Sequence, residues 1–521
     1  MKLSRISAII TILIVVVVSQ LSHAQIQSSH LDSLVNQALT TFKVAGAAVA
    51  IVKDGKIIHE KGYGVQSVET KAPVTPQTNF EIASNSKAFT SAALAILVDE
   101  GKLKWTDKVV QHIPEFKMYD AYTTANFTIA DLLSHRSGMG LGAGDLMWWP
   151  NGSDFTINDM LSAFQHFKPE SAFRTQYAYN NILYFIAGEV IHRVSGKSWE
   201  DFVAERILSP LEMTNTYTAL NRVQDKSTLS APHKVVDGKL VAFENYQDMV
   251  NGAAAQMKAN VHDLSKWMLM HLNKGKYGDS LQYQLFSAKS QQEMWRIHTV
   301  INGAQNDKYG THFYGYGLGW GIRDVKGYKR VSHTGGLPGM LTLTMMIPDI
   351  NLGFVILTNT HDGGAYLFNA ISSAIVDSYV GVESSDWIDF YNQRMVKSEH
   401  EADSVLNDVW NTVKKAKSKH IKPDDYIGMY EDPWFGKAEV FMNNGKLWLK
   451  ALRAPNLNGP MAFYKANTFA VKWEYQHMNG DVFARFVLDE NGKAQGFTLK
   501  GISPNIDFSY DFQDVNFTRL E

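Results

Sequence analysis

The apolar pattern of this chain changes character once, and that change limits the folds open to it. Up to about residue 380, apolar residues recur at both helical and strand spacing. From Tyr426 they come in short alternating runs broken by turn signals. Residues 440–442 and 446–449 flank Asn443-Asn444-Gly445; runs at 469–475, 482–488 and 496–500 follow, with Asn491-Gly492 as another turn. Strands this short and this regularly interrupted read as a small all-β barrel or sandwich. Residues 386–419 are polar and charged and read as a linker with helical character. The expected division is therefore a large domain over 25–385, a linker over 386–419 and a β module over 420–521.

In the large domain, Leu31, Leu34, Val35, Ala38, Leu39 and Phe42 mark an opening amphipathic helix. Apolar runs at 47–52 and 57–63 are joined by Asp54-Gly55, a two-residue hairpin signal. Residues 84–100 read as an Ala- and Leu-rich helix stopped by Gly101. Further helices are expected at 129–134, 184–194, 199–208 and 263–272, strands at 341–347 and 352–359, and a closing helix at 366–379. Strands thus cluster at both ends of residues 45–360 and helices fill the middle. The fold class is an α/β (α+β) sandwich, one antiparallel sheet built from both ends of the domain and covered by helices.

The first residues are expected to be a secretory signal peptide. Lys2 and Arg5 precede an almost wholly apolar stretch, 9–18, and Ser22-His23-Ala24 places small residues where a signal peptidase reads, so cleavage is expected after Ala24. The apolar stretch is too short to cross a bilayer of about 30 Å as a helix. The chain has no cysteine, which excludes a lipoprotein anchor and suits a large exported enzyme that needs no disulfides. With 50 basic and 52 acidic residues, it carries no field that would draw nucleic acid or an anionic membrane. The expected localisation is periplasmic or extracellular, with no stable membrane anchor and no nucleic-acid partner. The oligomeric state stays open.

Three short stretches carry candidate chemistry. In Ser84-Asn85-Ser86-Lys87, serine and lysine stand at i and i+3 of a helix and share a face. A serine hydroxyl needs a base or a nearby cation to become a nucleophile, and a half-buried lysine can be either. The free N–H groups of a helix start can stabilise an oxyanion. In Tyr177-Ala178-Tyr179-Asn180-Asn181 a phenol could exchange a proton with the serine, and an amide could hold a substrate carbonyl and orient the lysine. In His333-Thr334-Gly335-Gly336 small residues let a substrate backbone approach a strand. Taken singly, these are equally a cap with a solvated lysine, an aromatic loop on the core, and a glycine turn. Other signals fail. There is no His-Glu-x-x-His, no Cys pair for zinc and no Gly-x-Ser-x-Gly elbow; Gly196-Lys197-Ser198 has Ile191 where a phosphate loop needs glycine. No cofactor and no metal is expected. Gly140, Gly142 and Gly144 suit a mobile loop, His135 a structural or rim position, and Trp148, Trp149 and Phe173 either core packing or the cleft lining.

Together and in this order, Ser84-x-x-Lys87, Tyr179-x-Asn181 and His333-Thr334-Gly335 resemble the serine β-lactamase-like superfamily of class C β-lactamases, penicillin-binding carboxypeptidases, D-aminopeptidases and related esterases. Stretches 80–83, 132–138 and 316–320 look alike too, and the resemblance runs from about residue 31 to 381. The later module resembles the small β domain appended to many such hydrolases. The resemblance implies Ser84 as the acylated nucleophile, and Lys87 as its base or as the cation acting on Tyr179. It implies Tyr179, chosen over Tyr177 on spacing to Tyr184 and Gly188, as proton shuttle and Asn181 as ligand of the substrate amide. The N–H groups of Ser84 and Gly336 would form the oxyanion hole, beside Thr334 and Gly335, and no catalytic group is expected after Gly381. One departure stands out: His333 replaces the lysine of many β-lactam binders. An unperturbed imidazole titrates near 6.5, so His333 is expected to be neutral at pH 8 and partly charged at pH 5.5. The expected substrate is a small molecule or peptide cleaved at an amide, peptide or ester bond, in the manner of D-amino-acid peptidases or esterases. The alternatives are a true β-lactamase or D-Ala-D-Ala carboxypeptidase, a non-catalytic binder of cell-wall fragments, and a scaffold whose active part is the C-terminal module.

Overall fold

Asp54 and Gly55 both lie at positive φ, 50° and 80°, as a two-residue hairpin turn requires. They fold strand β1 (Gly46–Lys53) back on β2 (Lys56–Gly64). The computed structural model describes residues 25–303, 307–416 and 421–521. The expected signal peptide and the end of the expected linker, at 417–420, lie outside the described residues. Six more strands complete the main sheet: β3 (Thr299–Val300), β4 (Tyr314–Tyr316), β5 (Gly321–Val325), β6 (Tyr328–Leu337), β7 (Met340–Ile347) and β8 (Leu352–Thr358). The order is β2-β1-β8-β7-β6-β5-β4-β3, antiparallel throughout. Ala47 stands opposite Thr358, so the sheet closes with strands from both ends of the domain, as expected.

Both faces of this sheet are covered, which is why β8 is buried at every position. On one face lie helices α1 (Ser28–Thr41), through Leu31, Val35 and Ala38, and α5 (His361–Val380), through Leu367, Ile371 and Ile375. On the other lie α2 (Ser86–Asp99), α3 (Ile182–Ser195) and α4 (Val261–Leu272). Helix α2 is buried nearly all round, from Ser86 to Leu97, as a helix inside a thick layer must be. Its first turn is the place where a polar group is held away from water.

The polar stretch after the large domain is α6 (Trp387–Lys415), one 29-residue helix capped by Asp386. Its buried residues Ile388, Met395, Ala402 and Val409 recur every seventh position, a narrow seam of the coiled-coil kind. It packs along α5, α1 and the barrel, so this segment is a packed element and not a free tether. Eight strands then form a closed barrel: β9 (Gly428–Asp432), β10 (Gly436–Asn443), β11 (Lys446–Ala451), β12 (Asn458–Lys465), β13 (Thr468–Val471), β14 (Val482–Leu488), β15 (Ala494–Gly501) and β16 (Asn516–Arg519). Tyr430, Phe486 and Phe497 fill its interior.

The barrel is docked on the large domain. Arg453 binds Asp154 and Asp159, Phe435 stacks on Phe155, and Trp434 meets Phe167. The glycine-rich segment expected to be mobile precedes these contact residues in the chain. It is packed: Met139, Ala143, Leu146, Met147, Trp148 and Trp149 are buried. A Cβ on Gly144 would come within 2.2 Å of the Ile182 side chain. Its glycines serve close approach, not motion.

Candidate active site

The chain enters α2 through a single tight turn, Ala83–Asn85. Ala83 stands at φ 48°, a left-handed conformation that an alanine holds only when its surroundings impose it. Asn85 Nδ2 donates to Thr342 Oγ1 at 2.9 Å, and Thr342 Oγ1 donates to Ile82 O at 3.0 Å. These bonds clamp the turn to β7 and present Ser84 to the cleft while its neighbours stay buried.

Lys87 follows one turn later and is fully buried. Its ammonium nitrogen donates to Ser84 Oγ at 3.0 Å, Asn181 Oδ1 at 2.7 Å and Ala254 O at 2.9 Å, so each of its three protons has an acceptor. Burial pushes Lys87 down to about 7, with the Asp145 carboxylate pulling the other way. Asp145 accepts from Asn181 Nδ2 at 2.7 Å, Ser509 Oγ at 2.8 Å and Trp148 Nε1 at 3.1 Å. Burial pushes Asp145 up to about 7 against those hydrogen bonds and Lys87. Three converging donors and no acceptor describe an ionised carboxylate.

Tyr179 lies with its ring 4.9 Å from the Lys87 nitrogen. Burial holds its phenol well above 10, although the neighbouring Ser84 hydroxyl works against this. Near neutral pH the group whose proton is loosened is therefore Lys87, and Tyr179 is an intact phenol. Tyr177 lies one layer out, against His135 and Tyr316. His135 stacks on Tyr179 at 4.1 Å between ring centres.

Strand β6 forms the opposite wall. Its neighbour β5 ends at Gly321, opposite Ser332, while β7 pairs it as far as Leu337. From His333 to Gly336 one edge of β6 thus has no strand partner and faces the cleft. Thr334 and Gly336 are exposed, His333 and Gly335 buried. A Cβ on Gly335 would lie 2.2 Å from Ile82 O, whereas one on Gly336 would meet only Leu341 at 3.6 Å. The first glycine lets the strand press on the nucleophile turn; the second opens to the cleft.

His333 departs from expectation. Its Nδ1 lies 2.6 Å from Thr334 O, which can only accept, so Nδ1 carries the proton and Nε2 accepts from Tyr316 Oη at 2.7 Å. Burial, with Lys87 adding to it, pushes His333 down to about 3. It stays neutral at pH 5.5, and the expected partial charge there is corrected: the sequence shows the residue type but not its burial.

Ser84, Lys87, Tyr179, Asn181 and 333–336 all meet in one cleft of about 440 Å³, bar Lys87, which lies beneath its floor. The sequence reading missed five participants. Asp145 sits in a glycine-rich loop with nothing to mark it among 52 acidic residues. Arg330 lines the cleft on β6, and its Nε has no hydrogen-bond partner. Asp507, Phe508 and Ser509 belong to the barrel yet form one wall. The cleft is therefore not built from the part of the chain before Gly381 alone.

A family model described as Beta-lactamase matches residues 31–373, and one described as a domain of unknown function (DUF3471) matches residues 413–519. An unguisins hydrolase of Aspergillus campestris is 27% identical over 433 residues, which are 81% of this chain and 79% of that protein. Protein flp of Staphylococcus aureus is 29% identical over 336 residues, 63% of this chain and 62% of that one, so the chain spans under two thirds of this relative. In fold, the octameric penicillin-binding protein homologue from Pyrococcus abyssi superposes with a TM-score of 0.59 at 21% identity, over 95% of this chain and all of that one.

Proposed function

This chain belongs to the Beta-lactamase family, with the β-lactamase/transpeptidase-like fold and a C-terminal eight-strand barrel, and on that premise we propose that it is a serine hydrolase that forms an acyl-enzyme through Ser84. The observation that carries the reading is the buried Lys87 nitrogen 3.0 Å from Ser84 Oγ, with its proton held near 7. Deprotonated Lys87 takes the proton as Ser84 Oγ attacks a carbonyl. The N–H groups of Ser84 and Gly336 receive the oxyanion. Tyr179, a neutral phenol, gives its proton to the leaving amine or alcohol and is resupplied from Lys87. Water then releases the acyl group by the reverse path. Asn181 holds Lys87 in place and faces the cleft beside the substrate amide.

The substrate class we propose is a neutral amide, peptide or ester, of the D-amino-acid peptidase or esterase kind, because His333 brings no charge to the cleft. Arg330 favours a second reading, hydrolysis of carboxylate-bearing substrates as in a true β-lactamase or D-Ala-D-Ala carboxypeptidase. Its guanidinium is a cation that lines the cleft, with Nε buried and without a hydrogen-bond partner among the described residues. Comparing kcat/KM for a neutral ester and a penicillin in wild type and Arg330→Ala decides between them: only the second reading expects a selective loss on the penicillin. The leader-like residues 1–24 support export to the periplasm or beyond, so the purified native protein should begin at Gln25 by N-terminal sequencing. The acyl-enzyme itself is tested by intact mass after treatment with a fluorophosphonate. One adduct is expected on wild type and none on Ser84→Ala; equal labelling of both would remove the reading.

A further inference from the structure

The segment between β15 and β16 leaves the barrel and enters the large domain. Phe508 sets its ring edge-on to Tyr179, centres 5.6 Å apart. A Cβ on Gly142 would come within 2.6 Å of Phe508 O, and Gly144 N donates to Asp511. At the centre of this contact Ser509 Oγ donates to Asp145 Oδ2 at 2.8 Å. The same oxygen accepts from Asn181 Nδ2 at 2.7 Å, and Asn181 Oδ1 accepts from Lys87 at 2.7 Å. All four side chains are at most 3% exposed. An unbroken line of hydrogen bonds therefore runs from the C-terminal barrel to Ser84.

We propose that Ser509 is a positioning residue of the active site: acting through Asp145 and Asn181 it orients Lys87 on Ser84, so that the barrel completes the proton-transfer apparatus of the large domain. The inference rests on the reading of Ser84 and Lys87 given above. Its physical content lies in the direction of each bond. Asp145 receives only donors there, and each favours its ionised form. An ionised Asp145 fixes the Asn181 amide with its nitrogen toward the carboxylate and its oxygen toward Lys87. Without the Ser509 hydroxyl the carboxyl protonates more readily. A protonated carboxyl must itself donate, which favours a turned amide that offers Lys87 a nitrogen and no acceptor. The groups facing Lys87 are Asp145, Tyr179, Tyr184, His135 and His333. Those facing Asp145 are Lys87, Tyr246 and Asp511, with Asp507 next along the loop. Burial keeps both histidines and the three tyrosines uncharged near neutrality, and it raises Asp511 and Asp507 toward their neutral forms. Asp145 is thus the anion that raises Lys87, and weakening it lets Lys87 lose its proton at lower pH.

The test is the rate of Ser84 labelling by a fluorophosphonate against pH, in the full-length protein, which needs no knowledge of the substrate. Ser509→Ala should slow labelling at pH 8 by about tenfold, the scale of one charge-assisted hydrogen bond. It should also move the acid limb of the profile to lower pH by about half a unit or more. Ser509→Thr, which keeps the hydroxyl, should restore both. If the alanine variant does not fold, Ser509→Cys keeps the shape with a weak donor and should show the same downward shift. An acid limb that stays in place in the folded variant, whatever the rate, would mean that Ser509 only builds a wall, and the proposal falls. Failure of wild type to label at Ser84 would instead sink the underlying reading, and the two failures cannot be confused.

Discussion

Lys87 is where residue chemistry and burial meet most sharply. Because its proton is held near 7, acylation should follow an acid limb near pH 7, and Lys87→Ala should lose at least about a hundredfold in labelling rate. Burial pushes His333 down to about 3, so His333 should add no limb of its own between pH 5.5 and 8. The ester-to-penicillin rate ratio should not change over that range on its account. A second limb near 6 that vanishes in His333→Asn would contradict the buried tautomer. Ser84 and Lys87 could be read from sequence because their spacing occurs together, and in order, with Tyr179-x-Asn181 and His333-Thr334-Gly335. Asp145 could not, because its role comes from donors 36 and 364 residues away. Nor could the state of His333, because desolvation is a property of the packed molecule.

Among the elements, β6 shows two adjacent glycines with different duties. Gly335→Ala would drive a methyl into Ile82 O and should destabilise the protein by about 1–3 kcal/mol or prevent folding. Gly336→Ala meets only Leu341, at an ordinary contact distance of 3.6 Å, and should leave the thermal midpoint within error, a change below about 0.5 kcal/mol. Thermal unfolding of both variants checks this; equal losses would mean the strand sits differently against the turn. Helix α6 carries the opposite lesson. Its composition is polar, and one buried residue in seven is too thin a stripe to separate from a solvated linker by eye. Limited proteolysis should spare its packed face, where an open tether would be cut. The hairpin turns, in contrast, were plain from sequence, because Asp54-Gly55 and Asn444-Gly445 answer a local demand for positive φ.

For the whole molecule, buried imidazoles contribute a loss of stability in acid. His271 is enclosed by Trp267, Trp295, Trp320 and Phe286, and neither ring nitrogen has a partner. Burial pushes it down to about 3, like His333. Between 6.5 and 3 the unfolded chain binds protons that the folded chain refuses, so stability falls as pH falls through this window. The slope is up to about 1.4 kcal/mol per pH unit for each such group. Measured from pH 7 to 4.5, the thermal midpoint of His271→Met should therefore fall less, or rise more, than that of wild type. An unaltered change would place the acid sensitivity elsewhere. The two-part architecture was visible in the change of apolar pattern, but the docking of the parts was not, since pattern reports which face is buried and not against what.

On the proposed function, the open edge of β6 implies that a substrate is met through the main chain. A strand edge offers N–H and C=O groups at fixed intervals and is indifferent to side chains. Whatever lies there must be extended and must return those hydrogen bonds, while its side chains point alternately away. Selectivity for side chains then falls to the walls, one of which is barrel. Replacing a single amide N–H of a bound peptide by N-methyl should cost more than trimming a neighbouring side chain. The protein would tolerate many sequences in one backbone shape, and exchange of the 507–509 loop would re-address it without disturbing Ser84.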